Sequence, residues 1–360
     1  MMRSTQRLLD ASIRWVIILA AAFALGACNE SSRPAPPRPQ AVAFEGSTMG
    51  TTYTVKVVAP KLTDAEQAAT HAAIRAALDA VDLSMSTYKP GSELSRFNRH
   101  QTGESFALSA DVIRVFLLAQ EVSEASGGAF DVTVGPFVNA WGFGPVKQAR
   151  PPTDAEIAAA RGGVGYRLLA IDAAAGTIAK ARPGMYADLS AIAKGFGVDQ
   201  VARALDTRGF GRYMVEVGGE VRVKGRNAAG VPWQVGIERP DETAQRAQLV
   251  VPMTNVSMAT SGDYRNYFEK DGRRFSHEID PTTGHPIRHR LASVTVLAPE
   301  CAFADAYATA LLVLGPERGY ALALEKGLAA YFIERRPEGG FAERQTPAFA
   351  AQTGNAMERP

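Results

Sequence analysis

Three groups of residues in this chain could do chemistry. In the first, Asp188-Leu189-Ser190-Ala191-Ile192-Ala193-Lys194-Gly195-Phe196-Gly197-Val198-Asp199, the apolar Leu189, Ile192, Ala193 and Phe196 recur at helical spacing behind an Asp or a Ser able to cap the first turn. A helix that begins there, after the Pro183-Gly184 turn, aims unpaired amides and its positive dipole end at whatever precedes Ser190, which suits an anion. Lys194 adds a full charge one turn in, and Gly195 and Gly197 leave room for close approach. Asp188 would repel an anion unless a cation or a donor stood between them. A capped amphipathic helix with a surface lysine accounts for the same residues.

The second group lies on the stretch Phe303 to Leu314, which stops at Gly315-Pro316 and carries only Asp305, Tyr307 and Thr309 among Phe, Ala, Leu and Val. A helix apolar all round is a buried one, so the Asp305 carboxylate needs a partner. Thr309, four residues on, puts a hydroxyl on the same face, and two hard oxygens at that spacing suit Mg²⁺. An arginine paired with Asp305, with Thr309 bonded to its own backbone, is the alternative. The third group is Ser276-His277-Glu278-Ile279-Asp280-Pro281, a strand end whose histidine has a suitable ordinary pKa for a general base, as every histidine has. His277, His285 and His289 do not read as zinc ligands, because Pro281, Gly284 and Pro286 forbid the helix that a paired-histidine site needs and no thiolate is near.

The elements that must position these groups alternate between short strands and helices. Tyr53 to Val58 alternates as a half-buried strand; Thr63 and Glu66 form a capping box before a helix striped by Ile74, Leu78, Val81 and Met85. Ser86 to Gly91 is a loop whose Tyr88 can stack on a planar ligand or simply pack. A helix capped by Ser109 stops at Gly127-Gly128, and Ala129-Phe130-Asp131-Val132-Thr133-Val134 then reads as a short strand with approachable backbone. Thr153 opens a short helix; Tyr166 to Asp172, Thr177 to Lys180, Tyr213 to Val223 with a Gly218-Gly219 turn, Val231 to Glu238, Leu249 to Val251 and Asn255 to Ala259 read as strands. Asp271-Gly272 turns a last hairpin toward His277. The class is α+β, mainly antiparallel sheet with packed helices in one compact body over residues 42–360.

Ahead of that body, Arg3, Arg7 and Arg14 precede the apolar run Trp15 to Leu25, too short to span a bilayer comfortably, and Leu25-Gly26-Ala27-Cys28 fits a lipoprotein cleavage box. Residues 1–27 therefore read as a lipoprotein signal peptide, with Cys28 as the lipidated residue; an ordinary signal peptide or a short anchor helix is the alternative. Residues 28–41 hold four prolines and make a stiff tether of about 3.1 Å per residue. The expected location is an exported lipoprotein held on a membrane and facing the periplasm, the inner membrane favoured over the outer. The whole chain carries a formal charge of +2, and residues 1–27 hold three Arg against one Asp, so the remainder is formally neutral and offers no nucleic-acid surface. Cys301 is the only thiol besides Cys28, so no intrachain disulfide staples the body.

Five stretches, in order, resemble the ApbE family, the FAD:protein FMN transferases once called thiamine-biosynthesis lipoproteins: Ser47-Thr48-Met49-Gly50-Thr51, Gly128 to Asp131, Asp188 to Asp199, His277 to Pro281, and Ala304-Asp305-Ala306 through Thr309. The resemblance implies a Mg²⁺-dependent enzyme that splits FAD and joins FMN through a phosphoester to a Thr or Ser of an acceptor protein, releasing AMP. It implies that Met49, Tyr88, Ala129, Phe130, Asp131, Asp188, Lys194 and Ile279 contact FAD. By the same resemblance the metal would fall to the Ala191 carbonyl, Asp305 and Thr309, His277 matches the family's candidate base, and Lys194 would stabilise charge on the diphosphate. Acceptors in the family point to flavoprotein subunits of membrane electron-transfer complexes. Phe196 stands where the family often has tyrosine, and Glu278 where it often has an apolar residue. A lipoprotein that merely hydrolyses FAD to FMN and AMP, or a tethered binding module without chemistry, would carry many of the same residues.

Overall fold

A computed structural model describes residues 40–354 apart from 149, 241–245, 265–266 and 271–272. The signal peptide, Cys28, nearly all of the tether and the Asp271-Gly272 turn lie outside the described residues. Among the described residues, no helix is long and apolar enough to cross a membrane.

The frame is one eight-stranded sheet: β1 Gln40–Thr48, β2 Thr51–Ala59, β3 Tyr213–Val217, β4 Glu220–Lys224, β5 Val256–Gly262, β6 Leu291–Ala298, β7 Ala329–Arg335 and β8 Phe341–Gln345. They lie side by side in that order, every neighbouring pair antiparallel. The helices occur as excursions from this meander. The period-two alternation sends Met258, Leu297 and Tyr331 into one apolar cluster and Ala259, Val296 and Phe332 into another, so both faces are covered. The first face packs against the strands Trp233–Glu238 and Ala247–Met253, which pair antiparallel. The second face takes the longer helices, while the short helix Pro347–Thr353 sets Phe349 on the first.

Four helices brace the region around Lys194 and Asp305: α1 Asp64–Met85, α2 Ala110–Ala125, α3 Ala193–Thr207 and α4 Cys301–Glu325. Thr63 and Glu66 close the expected capping box at α1, whose Ile74 and Leu78 meet Val198, Val201 and Leu205 of α3 over Val55, Val57 and Val215 of the sheet. Up to Leu314, helix α4 is apolar nearly all round and buried, lying on β5 and β6 with Tyr307, Leu311 and Leu312 in the core.

Four local expectations need correction. Helix α3 starts at Ala193, not at Ser190: Ile192 leaves helical geometry, and Asp188 spends its carboxylate on a turn, accepting from the Ser190 amide at 2.8 Å and hydroxyl at 2.5 Å. Val132–Val134 is a 3₁₀ turn leading into a helix from Gly135 to Ala140, because Asp131 accepts from the Thr133 amide and bends the chain that a strand would keep extended. Ser109 makes no side-chain cap on α2; its own amide donates to Glu93 instead. The break at Gly315 is real, with φ 84° and ψ 179°, but Pro316 can begin a helix as well as end one, and α4 resumes through Glu325.

Helices α3 and α4 cross at Gly195, where an added Cβ would lie 2.5 Å from the Cys301 carbonyl oxygen. Alanine's better helix propensity is worth up to about 1 kcal/mol, less than the roughly 1–3 kcal/mol of forcing packed backbone apart. Gly195→Ala is therefore expected to lower unfolding free energy in urea titration, while Gly211→Ala, where a Cβ meets nothing within 4 Å, leaves it nearly unchanged. Equal stabilities for the two variants would contradict the close crossing.

Candidate active site

The candidate site grows out of that crossing. A regular turn would give the Gly195 amide to the Ala191 carbonyl four residues back. Instead it donates to Asp305 Oδ2 at 2.9 Å, which leaves the Ala191 carbonyl without its helical partner. Asp305 is only 3% exposed, and the cation beside it is Lys194, whose Nζ lies 3.8 Å from Oδ1. The arginine partner for Asp305 is not what the structure shows.

Lys194 is held more tightly from the other side. The Gly218-Gly219 turn between β3 and β4, both glycines at positive φ, delivers Glu220, whose Oε1 stands 2.8 Å from Lys194 Nζ. Gly218 has no room for a side chain, because a Cβ would press on Thr51 and come within 3.3 Å of the Lys194 stem. Glu220 is 3% exposed, and its second oxygen, Oε2, has no hydrogen-bond partner among the described residues. Burial pushes the Glu220 carboxyl up to about 7, against the Lys194 ammonium that favours its charge and with Asp305 adding to the penalty. For Lys194, burial alone would lower the pKa, but Asp305 and Glu220 outweigh it and hold the ammonium well above its ordinary value. Two buried carboxylates thus share one cation, and an orphaned buried oxygen remains.

That imbalance fits a divalent ion. Asp305 and the Ala191 carbonyl, which has no backbone donor among the described residues, are hard oxygens, and Thr309 offers a third from the next turn of α4, its hydroxyl 2.9 Å from Ser261 on β5. The alternative in which Thr309 bonds its own backbone is thereby replaced by a cross-element contact. Among the described residues no cluster of three or more His, Cys, Asp and Glu could hold a metal. A set of one carboxylate, one hydroxyl and one carbonyl does not need such a cluster, and it suits Mg²⁺, which keeps several waters or phosphate oxygens.

The other expected residues make the following contacts. Met49, at φ 47° in the β1–β2 turn, reaches over Gly197, its Cε 3.0 Å from where a Cβ would stand. The Asp188 amide donates to Val132 at 2.7 Å, which ties the segment ahead of α3 to the Ala129-Phe130-Asp131 loop. Ala129 and Phe130 are buried. Asp131 is committed to the fold, accepting from the Thr133 amide and hydroxyl and from the Tyr166 amide; burial raises its pKa and those bonds oppose the rise. A cavity of about 260 Å³ is lined by Gly128, Asp131 and Tyr166 together with Pro281 and Thr282, so the 128–131 loop and the Pro281-Thr282 turn face a common space. Tyr88 is 60% exposed and donates to the Phe143 carbonyl at 3.1 Å, and the Phe143 ring meets His277 edge-on at 6.3 Å. Ile279 is buried with Phe137, Trp141 and Ile157, so its side chain is committed to packing.

His277 Nε2 lies 3.3 Å from Glu278 Oε1. Burial raises the Glu278 carboxyl, while His277 and Lys194 lower it and Asp305 raises it further, so the histidine segment shares the electrostatic field of the α3–α4 crossing. Sequence reasoning missed Glu220 and Ser261. The signal for Glu220 was an acid set among Val217, Val221 and Val223, where alternation alone does not ask for a charge. Ser261 had no local signal.

A family model described as the ApbE family matches residues 49–332. The chain is 45% identical over 346 residues to the FAD:protein FMN transferase of Haemophilus influenzae, covering 95% of this chain and 98% of that protein. It is 37% identical over 345 residues to the FAD:protein FMN transferase of Escherichia coli K12, covering 95% and 97%. Among solved structures, the flavin transferase ApbE from Vibrio cholerae aligns with a TM-score of 0.80 at 44% identity over 87% of this chain and 99% of that one. The ApbE protein of Thermotoga maritima aligns at 0.78 and 27% identity over 87% and 99%.

The Glu220 carboxyl keeps its proton in the folded state up to about pH 7 but loses it near its ordinary 4.5 in the unfolded chain. Between those values the folded state binds more protons, so stability falls as pH rises through the window, while Lys194 is charged in both states there. In metal-free protein, the melting temperature of the wild type is expected to fall relative to Glu220→Gln between about pH 5 and about pH 8. Parallel curves would show that Glu220 ionises without penalty.

Proposed function

The chain belongs to the ApbE family, and on that premise we propose that it is a Mg²⁺-dependent FAD:protein FMN transferase, moving FMN from FAD to a Thr or Ser hydroxyl of an acceptor protein and releasing AMP. The observation that carries this reading is the buried excess of carboxylate around Lys194 at the head of α3, with the Ala191 carbonyl left without its helical partner. Such a site attracts a cation and, once the cation is present, a diphosphate.

The chain's own residues divide the work. Met49, Tyr88, Asp188, Ile279 and the Ala129-Phe130-Asp131 loop hold FAD, with the Tyr88 ring available for stacking on a planar group. Lys194 meets the diphosphate. His277 takes the proton from the acceptor hydroxyl as that oxygen attacks the phosphorus on the FMN side; the new P–O bond forms as the bond to the AMP phosphate oxygen breaks. Lys194 stabilises the charge that grows on the departing phosphate. Bound by the Ala191 carbonyl, Asp305 and Thr309, Mg²⁺ supplies positive charge to the diphosphate oxygens.

We infer the setting from the sequence: residues 1–27 direct export and are removed, Cys28 carries the lipid, and the proline-rich tether lets the body work near the membrane on the periplasmic side, the inner membrane favoured. Flavoprotein subunits of membrane electron-transfer complexes are the acceptors that match this setting.

Incubation with FAD, Mg²⁺ and an acceptor domain is expected to leave flavin fluorescence on the denatured acceptor; AMP with only free FMN would mean hydrolysis, and intact FAD would mean a binding module. His277→Ala is expected to retain FAD binding by fluorescence quenching and to lose about 10²–10⁴-fold in transfer rate. Asp305→Ala is expected to abolish Mg²⁺-dependent transfer. Unchanged rates would remove the assigned roles.

A further inference from the structure

We propose that Asp199 is a positioning residue for the cation site, fixing α4 against α3 so that Asp305 and Thr309 stand where the ion needs them; this rests on the function proposed above. Asp199 lies on α3 one turn beyond Gly195 and is 1% exposed. Its Oδ1 accepts from the Cys301 amide at 3.0 Å and its Oδ2 from the Ala302 amide at 2.9 Å, and Arg222 of β4 pairs with Oδ1. These are first-turn amides of α4, donors that have no partner within their own helix.

An ordinary helix would satisfy them from its own N-cap. Here that position is Glu300, which makes no side-chain cap, and its carboxylate is taken by Arg114 at 2.9 Å and 3.2 Å. The cap is therefore supplied by another helix. The favour is returned one turn away, where Asp305 of α4 accepts the Gly195 amide of α3. Two caps running in opposite directions between the same two helices, with a glycine between them, fix both the rotation and the axial slide of α4. Releasing the Asp199 end leaves Asp305 tied to α3 by the Gly195 hydrogen bond and the longer Lys194 contact. The ammonium and the unpartnered oxygen of Glu220 then face a carboxylate free to shift.

A simple stability role predicts a lower melting temperature and nothing more. The positioning role predicts a change in cation affinity, which can be read without turnover. In Mn²⁺ titrations followed by electron paramagnetic resonance, Asp199→Asn is expected to bind Mn²⁺ about tenfold or more weakly than wild type, and the Mg²⁺ needed for half-maximal transfer to rise in parallel while the rate at saturating Mg²⁺ largely recovers. Should Asp199→Asn fail to fold, Arg222→Gln keeps both amide caps but frees the Asp199 carboxylate, and a weaker Mn²⁺ affinity in the same sense is expected. Wild-type Mn²⁺ affinity in a folded variant overturns the positioning role alone. No Mn²⁺ binding by the wild-type protein overturns the proposed function and this role with it.

Discussion

The structure depends on the exchange of backbone amides between α3 and α4 across Gly195. Each helix begins with donors that its own turns cannot satisfy, and each has a buried carboxylate that its own surroundings cannot neutralise. Asp305 and Asp199 solve both problems at once by capping the opposite helix. The arrangement is possible only because Gly195 lets the Cys301 carbonyl approach to a distance that any side chain would block. Diverting the Gly195 amide to Asp305 also leaves the Ala191 carbonyl without its helical partner, so the geometry that joins the helices produces an acceptor for a cation.

Charge follows from the same packing. Lys194 is drawn between Glu220 and Asp305, and both carboxylates are almost wholly removed from water. Burial displaces the Glu220 carboxyl upward, with the Lys194 ammonium opposing the shift and the nearby Asp305 adding to it. Bringing a divalent cation to such a place relieves a cost that the fold already bears. The one carboxylate ligand of the proposed site suits an ion that prefers oxygen and keeps several of its waters.

Much of this was legible in the sequence, for identifiable reasons. The capping box at Thr63, the alternation of Tyr53 to Val58 and the all-apolar pattern around Asp305 are local and were read from neighbours in the chain. The start of α3 was misplaced because Asp188 and Ser190 look like caps, and only the structure shows their hydrogen bonds closing a separate turn. The segment after Asp131 looked like a strand for its valines, and one carboxylate bond to the Thr133 amide turned it into 3₁₀. Glu220 and Ser261 come to the site across the sheet, from strands distant in sequence, and no spacing rule connects them to Lys194 or Thr309. Asp199 was visible as part of a motif, yet its task depends on which amides α4 places beside it.

The central claim is that an ion bound by Ala191, Asp305 and Thr309 joins the heads of α3 and α4 to a diphosphate. Anomalous diffraction from crystals containing Mn²⁺ and FAD tests it directly. The account predicts one strong peak within about 2.5 Å of an Asp305 oxygen and of the Ala191 carbonyl, with diphosphate density against it. A peak elsewhere, or FAD bound with no ion at that crossing, would contradict it.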